Sequence, residues 1–148
     1  MKKLLLAVSV LAMSASAVIA ADDPIAVRKA LMQAVGAAAG ASGAMMKGEM
    51  DYNPGVAKLA IAAVNASSHA FGDYFPDGST SDASTASPKI WEDMAGFKAA
   101  AAKFAGDSAA AMQASGKDGP ADLDAFKAAM GPVLGNCKTC HEAFRVQK

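Results

Sequence analysis

Small and apolar residues recur at helical spacing through most of the chain, and no alternating pattern long enough for a useful β-strand interrupts them. Four segments follow from the start and stop signals. The first begins at Pro24, with Asp22 or Asp23 as its cap, and runs to about Lys47 before Gly48. Gly36 and Gly40 are tolerated inside it at a cost of roughly 1 kcal/mol each. Asn53-Pro54 repeats the start signal, and the second segment runs to about Phe71 before Gly72. A polar stretch rich in Ser and Thr then reads as a long crossover loop. Ser87-Pro88 opens the third segment, which continues to about Ser115. Pro120 opens the fourth, which ends near Val146. Pro132 lies inside that last segment and is expected to kink it or break its hydrogen bonding locally.

The third and fourth segments carry a heptad-like stripe. Ile90, Met94, Phe97, Ala101, Phe104, Ser108 and Ala111 alternate steps of four and three, as do Leu123, Phe126, Met130, Val133, Cys137, Cys140 and Phe144. Such stripes face neighbouring helices at a small crossing angle. The expected fold is therefore all-α, an antiparallel up-down-up-down four-helix bundle. Composition agrees: alanine is abundant and aromatic residues make up only 6%, a balance that suits helices better than sheets.

The first twenty residues have a different logic. Met1-Lys2-Lys3 is a short basic start, Leu4 to Met13 is apolar apart from Ser9, and Ser14 to Ala20 is rich in small residues. This is the pattern of an export signal, too short in its apolar run to span a bilayer comfortably. Cleavage is expected after Ala20, with Ala17 and Ala21 as alternatives, which leaves 21–148 as one domain. Removing Lys2 and Lys3 leaves 12 basic against 14 acidic residues, a formal charge of −2. A strongly basic nucleic-acid binder is excluded by this balance. The expected destination is the periplasm, with no membrane insertion after cleavage.

The chemistry is concentrated at Cys137-Lys138-Thr139-Cys140-His141, a C-x-x-C-H run that is the attachment signature of c-type haem. On a helix Cys137 and Cys140 are near neighbours, so two thiols can reach two vinyl groups on one porphyrin edge. His141, four residues after Cys137, can then ligate the iron of the same ring. Three rival readings exist. A thioredoxin-like C-x-x-C needs a βαβ context that the pattern lacks. A zinc site needs a fourth ligand, for which His69 is the other histidine. A structural disulfide gives no account of the adjacent histidine.

With GNCKTCHEAFR near the C-terminus, the chain resembles the class II cytochromes c, the cytochrome c′ family, which itself exemplifies the up-down-up-down bundle. The resemblance also includes RKALM at Arg28–Met32, MKGE at Met46–Glu49, YFP at Tyr74–Pro76 and PKIWED at Pro88–Asp93. It implies one covalent haem c per chain. It also implies an axial position four residues after Arg28, which here is Met32, followed four residues later by Gly36 as in the low-spin branch. Met32 is then the sixth ligand beside His141, or a flexible core filler like other methionines. By the same resemblance Arg28 lies near a haem propionate, Trp91 is a haem-neighbouring aromatic, and Arg145 stands beside the proximal ligand. An exposed helix charge, a core tryptophan and a helix-end cation are the respective alternatives.

These features point to a non-enzymatic electron carrier with His141/Met32 ligation. The alternative is a five-coordinate protein that binds nitric oxide or carbon monoxide at an open face. The partners expected are periplasmic or membrane-bound redox proteins, and the resemblance implies pairing of two copies through their first helices. Bis-His ligation by His69 and His141 is a further alternative.

Overall fold

The computed structural model describes residues 23–146, so the expected leader at 1–20 lies outside the described residues. Helix α1 spans Pro24–Lys47, α2 spans Pro54–Phe71, α3 is the single turn Lys89–Glu92, α4 spans Met94–Ala114 and α5 spans Leu123–Phe144. Each start has a local cause. Asp23 accepts the Ile25 N–H at 2.9 Å, and Asn53 accepts that of Val56 at 3.0 Å. Both caps precede a proline, whose missing N–H is no loss in a first helical turn. Gly48 ends α1 in the left-handed region at φ 76° and donates back to the Ala44 and Met45 carbonyls.

The structure differs from the sequence pattern in the third and fourth segments. The expected helix from Pro88 to Ser115 is broken at Asp93, which leaves helical geometry and accepts the Gly96 N–H at 2.9 Å. An aspartate that can cap from within a run competes with the backbone for its own hydrogen bonds, and Gly96 leaves room for the carboxylate. The last helix starts at Leu123 rather than Pro120, because Asp122 supplies the cap to Ala125 N–H at 2.8 Å. It stops at Phe144, two residues short of Val146, where Arg145 turns extended. Pro132 lies inside α5 without ending it.

The long helices form the four-helix bundle. Helix α1 packs on α2, α2 on α4, and α4 on α5, while α1 and α5 meet along a much smaller seam. Two apolar clusters fill the interior. Met45, Ile61, Phe126 and Met130 anchor the larger one, towards the short α1–α2 and α4–α5 connections. Phe75, Ile90, Phe97 and Phe144 form the smaller one, below the crossover segment.

Loops are fastened at both ends. At the first end, Tyr52 donates its hydroxyl hydrogen to the Pro120 carbonyl, and Lys58 donates to Gly116 O and, at 3.1 Å, to Ser115 Oγ. Gly119, at φ 98°, lies against the Pro54 carbonyl, an approach that a side chain would obstruct. At the other end the crossover strap returns to α5. Ser87 N donates to Phe144 O and Val146 N to Thr85 O, both at 2.9 Å, around an isolated antiparallel bridge between Ala86 and Arg145. No described helix is long and apolar enough to cross a membrane.

Candidate functional site

The narrow α1–α5 seam widens into a cavity of about 460 Å³. This is within the roughly 300–1,000 Å³ range of small-molecule and cofactor pockets. One wall is α5, which contributes Asn136, Cys137, Cys140, His141 and Phe144. The facing wall is α1, with Arg28, Met32, Val35 and Gly36. Phe71, Phe97 and Phe104 close the back, and Ala83–Ala86 of the strap pass along the rim.

The α5 wall has a simple origin. Cys137, Cys140 and Phe144 continue the stripe begun by Phe126, Met130 and Val133, so the helix that buries its upstream members in the core turns the downstream ones to the cavity. The two half-buried thiols are not joined to each other. Burial pushes the Cys137 thiol above its ordinary pKa; burial and then the neighbouring Cys137 do the same for Cys140. A redox-active C-x-x-C pair depends on the opposite shift, towards the thiolate. Partial burial, and then the Arg145 cation, lower the His141 pKa. Both effects favour the neutral imidazole, the form that ligates a metal.

Arg28 is the most conspicuous residue of the α1 wall. It is only 4% exposed, yet among the described residues no carboxylate is in hydrogen-bond contact with it. One terminal nitrogen donates to Ser79 O at 2.7 Å, and the guanidinium lies 4.6 Å from the centre of the Phe75 ring. Its Nε is buried without a partner. Burial lowers the Arg28 pKa, partly offset by Asp23. A buried cation with an unsatisfied donor on a cavity wall is suited to an anionic group entering that cavity.

The structure thus brings Arg28, Met32, Cys137, Cys140, His141 and Arg145 to one cavity. Trp91 is not on its wall: the ring packs 6.2 Å from Phe75, centre to centre, and Nε1 donates to Pro76 O at 3.1 Å. It packs instead on Phe75, which does line the cavity. His69 is exposed near the end of α2 and off the cavity wall, which removes the basis for bis-His ligation and for a fourth zinc ligand. Among the described residues no group of three or more His, Cys, Asp or Glu could hold a metal ion by itself.

Sequence reasoning missed Asn136, the aromatic back wall and the strap. The strap's Ser/Thr-rich composition gave no sign of where it lies, and Thr85 Oγ1 accepts from Arg145 Nε at 3.4 Å across 60 residues.

The profile of the cytochrome c′ family matches residues 23–145, which takes in the whole cavity. The chain belongs to the cytochrome c′ family. A cytochrome c′ of Rhodopseudomonas palustris is 40% identical over 131 residues, covering 88% of this chain and 86% of the relative. A cytochrome c-556 of Agrobacterium tumefaciens is 38% identical over 125 residues, covering 82% and 93%. A solved nitric oxide complex of a mutant cytochrome c prime from Alcaligenes xylosoxidans matches with a TM-score of 0.66 at 29% identity, covering 84% and 97%. One covalent haem c is the cofactor of this family. The residues present fit it: two adjacent thiols, a neutral imidazole and an unsatisfied buried cation face one apolar space. Membership in the family does not itself place the chain in the methionine-ligated branch.

Proposed function

We propose that the protein holds one haem c through Cys137 and Cys140, with His141 as iron ligand, and binds nitric oxide or carbon monoxide on the face turned to α1. The cavity carries this reading, because it sets the three α5 residues against a wall of α1 in which Met32, Val35 and Gly36 offer no charged group. When bound, haem c supplies a redox-active iron with a coordination position for a small ligand. Met32, Val35 and Gly36 would admit a neutral diatomic without requiring it to pair with a charged group. They offer no distal acid or base to assist cleavage of a peroxide, so the protein is not read as an enzyme. Arg28 would pair with a propionate, completing the guanidinium's hydrogen bonds. Arg145 would act on His141 as a neighbouring cation. The nitric oxide complex of the mutant Alcaligenes cytochrome c prime supports gas binding here by similarity.

A second reading is electron transfer with Met32 as sixth ligand, favoured by its place on the wall facing His141. A thioether on the iron leaves no position for gas. Either reading fits a periplasmic location, redox partners in the periplasm or its membrane, and pairing of two copies along α1.

The reduced protein's optical spectrum with and without carbon monoxide separates the two. Gas binding predicts a high-spin reduced form whose main band moves on adding the gas. A low-spin spectrum unmoved by the gas overturns it in favour of Met32. In that case Met32→Ala would open the iron and lower the reduction potential.

A further inference from the structure

The turn that bears Cys137, Cys140 and His141 is preceded by the part of α5 least suited to a helix. Gly131, Pro132 and Gly135 fall within five residues. Relative to alanine, glycine costs about 1 kcal/mol and proline about 3 kcal/mol inside a helix. Pro132 also withholds the N–H that the Ala128 carbonyl would accept. Nevertheless α5 runs unbroken from Leu123 to Phe144, and its motif faces the cavity.

Asn136 stands between the weak stretch and the motif. It is buried, and its Nδ2 donates to Asp107 Oδ2 on α4 at 2.7 Å and to the Pro132 carbonyl at 3.0 Å. Lys103 Nζ holds the same Asp107 oxygen at 2.6 Å. One side chain therefore closes α5 on itself across the Gly–Pro stretch and fastens it to α4. Asn136 also lines the cavity, so any shift of this side chain shifts the cavity wall.

We infer that Asn136 and Asp107 are a positioning pair, which sets the rotation and register of the haem-bearing turn of α5 and so the approach of His141 to the iron. A helix advances 1.5 Å and turns about 100° per residue, so a small slip would carry His141 off its axis. The inference rests on haem occupying this cavity. A purely structural bond would change stability and leave iron ligation as it was.

The test uses the haem-loaded full chain with Asn136→Ala, Asp107→Ala, both together, and Asp107→Asn. The readouts are the ferric electron paramagnetic resonance g-values and the reduction potential. Each alanine variant is expected to shift both in the same direction, and the double variant by less than the sum of the two, because both changes remove the same Asn136–Asp107 bond. Asp107→Asn can still accept the Asn136 N–H through its amide oxygen and is expected to restore the wild-type g-values. Ser68→Ala is the control: it removes a 2.7 Å hydrogen bond to Ser108 between α2 and α4, off the cavity wall, and should leave both readouts unchanged. Unshifted g-values in the alanine variants, additive shifts, or no restoration by Asp107→Asn would overturn the pair.

Amide hydrogen exchange on the full chain as purified gives a readout independent of haem. Both alanine variants should speed exchange across 133–141 relative to α2, and unchanged exchange there overturns the inference. A wild-type chain that lacks covalent haem would instead overturn the proposed function.

Discussion

The two ends of this bundle are built on different terms. Around Met45, Ile61, Phe126 and Met130 the helices close completely, with each of these side chains at most 1% exposed. At the other end the α1–α5 seam opens, the interior becomes aromatic, and a guanidinium nitrogen is left buried without a partner. The first end satisfies its own groups; Tyr52 and Lys58 even tie its two loops together. The second end is completed by what it binds. Stability and cofactor chemistry are thus divided along one helix, α5, whose first half is core and whose second half is site.

That division can be broken most severely at the thiols. Replacing Cys137 and Cys140 together with serine is expected to abolish covalent haem, measured by haem staining after denaturing electrophoresis, while Ile61→Ala at the closed end retains it. Next comes packing. Phe126→Ala should cost roughly 3–5 kcal/mol in denaturant unfolding, and Phe104→Ala about half that, because Phe104 already borders a cavity. A smaller contrast concerns Arg28. In the serine variant lacking haem, Arg28→Met should leave stability within about 1 kcal/mol, since an incompletely satisfied buried cation contributes little; with haem bound the same change should cost about 1–3 kcal/mol.

The smallest effect is a pH dependence. Hydrogen bonds from Lys103 and then Asn136 lower the Asp107 pKa in the folded chain. The folded state therefore binds this proton less readily than the unfolded one. The resulting stabilisation is fully present above the unfolded aspartate value and is lost as pH falls through the folded one. Unfolding of wild type and Asp107→Asn across acidic pH should show the wild-type advantage shrinking in that window, and a constant difference would contradict the assignment.

The bundle was legible because its determinants are local: caps at Asp23 and Asn53, a left-handed glycine at position 48, and stripes at helical spacing. The C-x-x-C-H run was legible for the same reason. Asp93 was misread because an aspartate inside an apolar run can serve as a surface residue or a cap, and only the backbone decides. Trp91 was placed by resemblance beside the cofactor; its ring packs on Phe75, which lines the cavity, while Trp91 itself does not. Asn136 and Thr85 could not be found by periodicity, since their partners lie 29 and 60 residues away and such pairings leave no trace in local pattern.

Cys137 and Cys140 occupy successive turns of one helix, and this has a consequence for refolding. With haem on both sulfurs, the bridge closes a loop of only a few residues and hardly restricts the unfolded chain, unlike a disulfide joining distant segments. Its thermodynamic effect is to raise the local concentration of porphyrin around α1 and the strap. Return of the porphyrin to the cavity is then a unimolecular event, and the refolding midpoint is independent of free haem in solution.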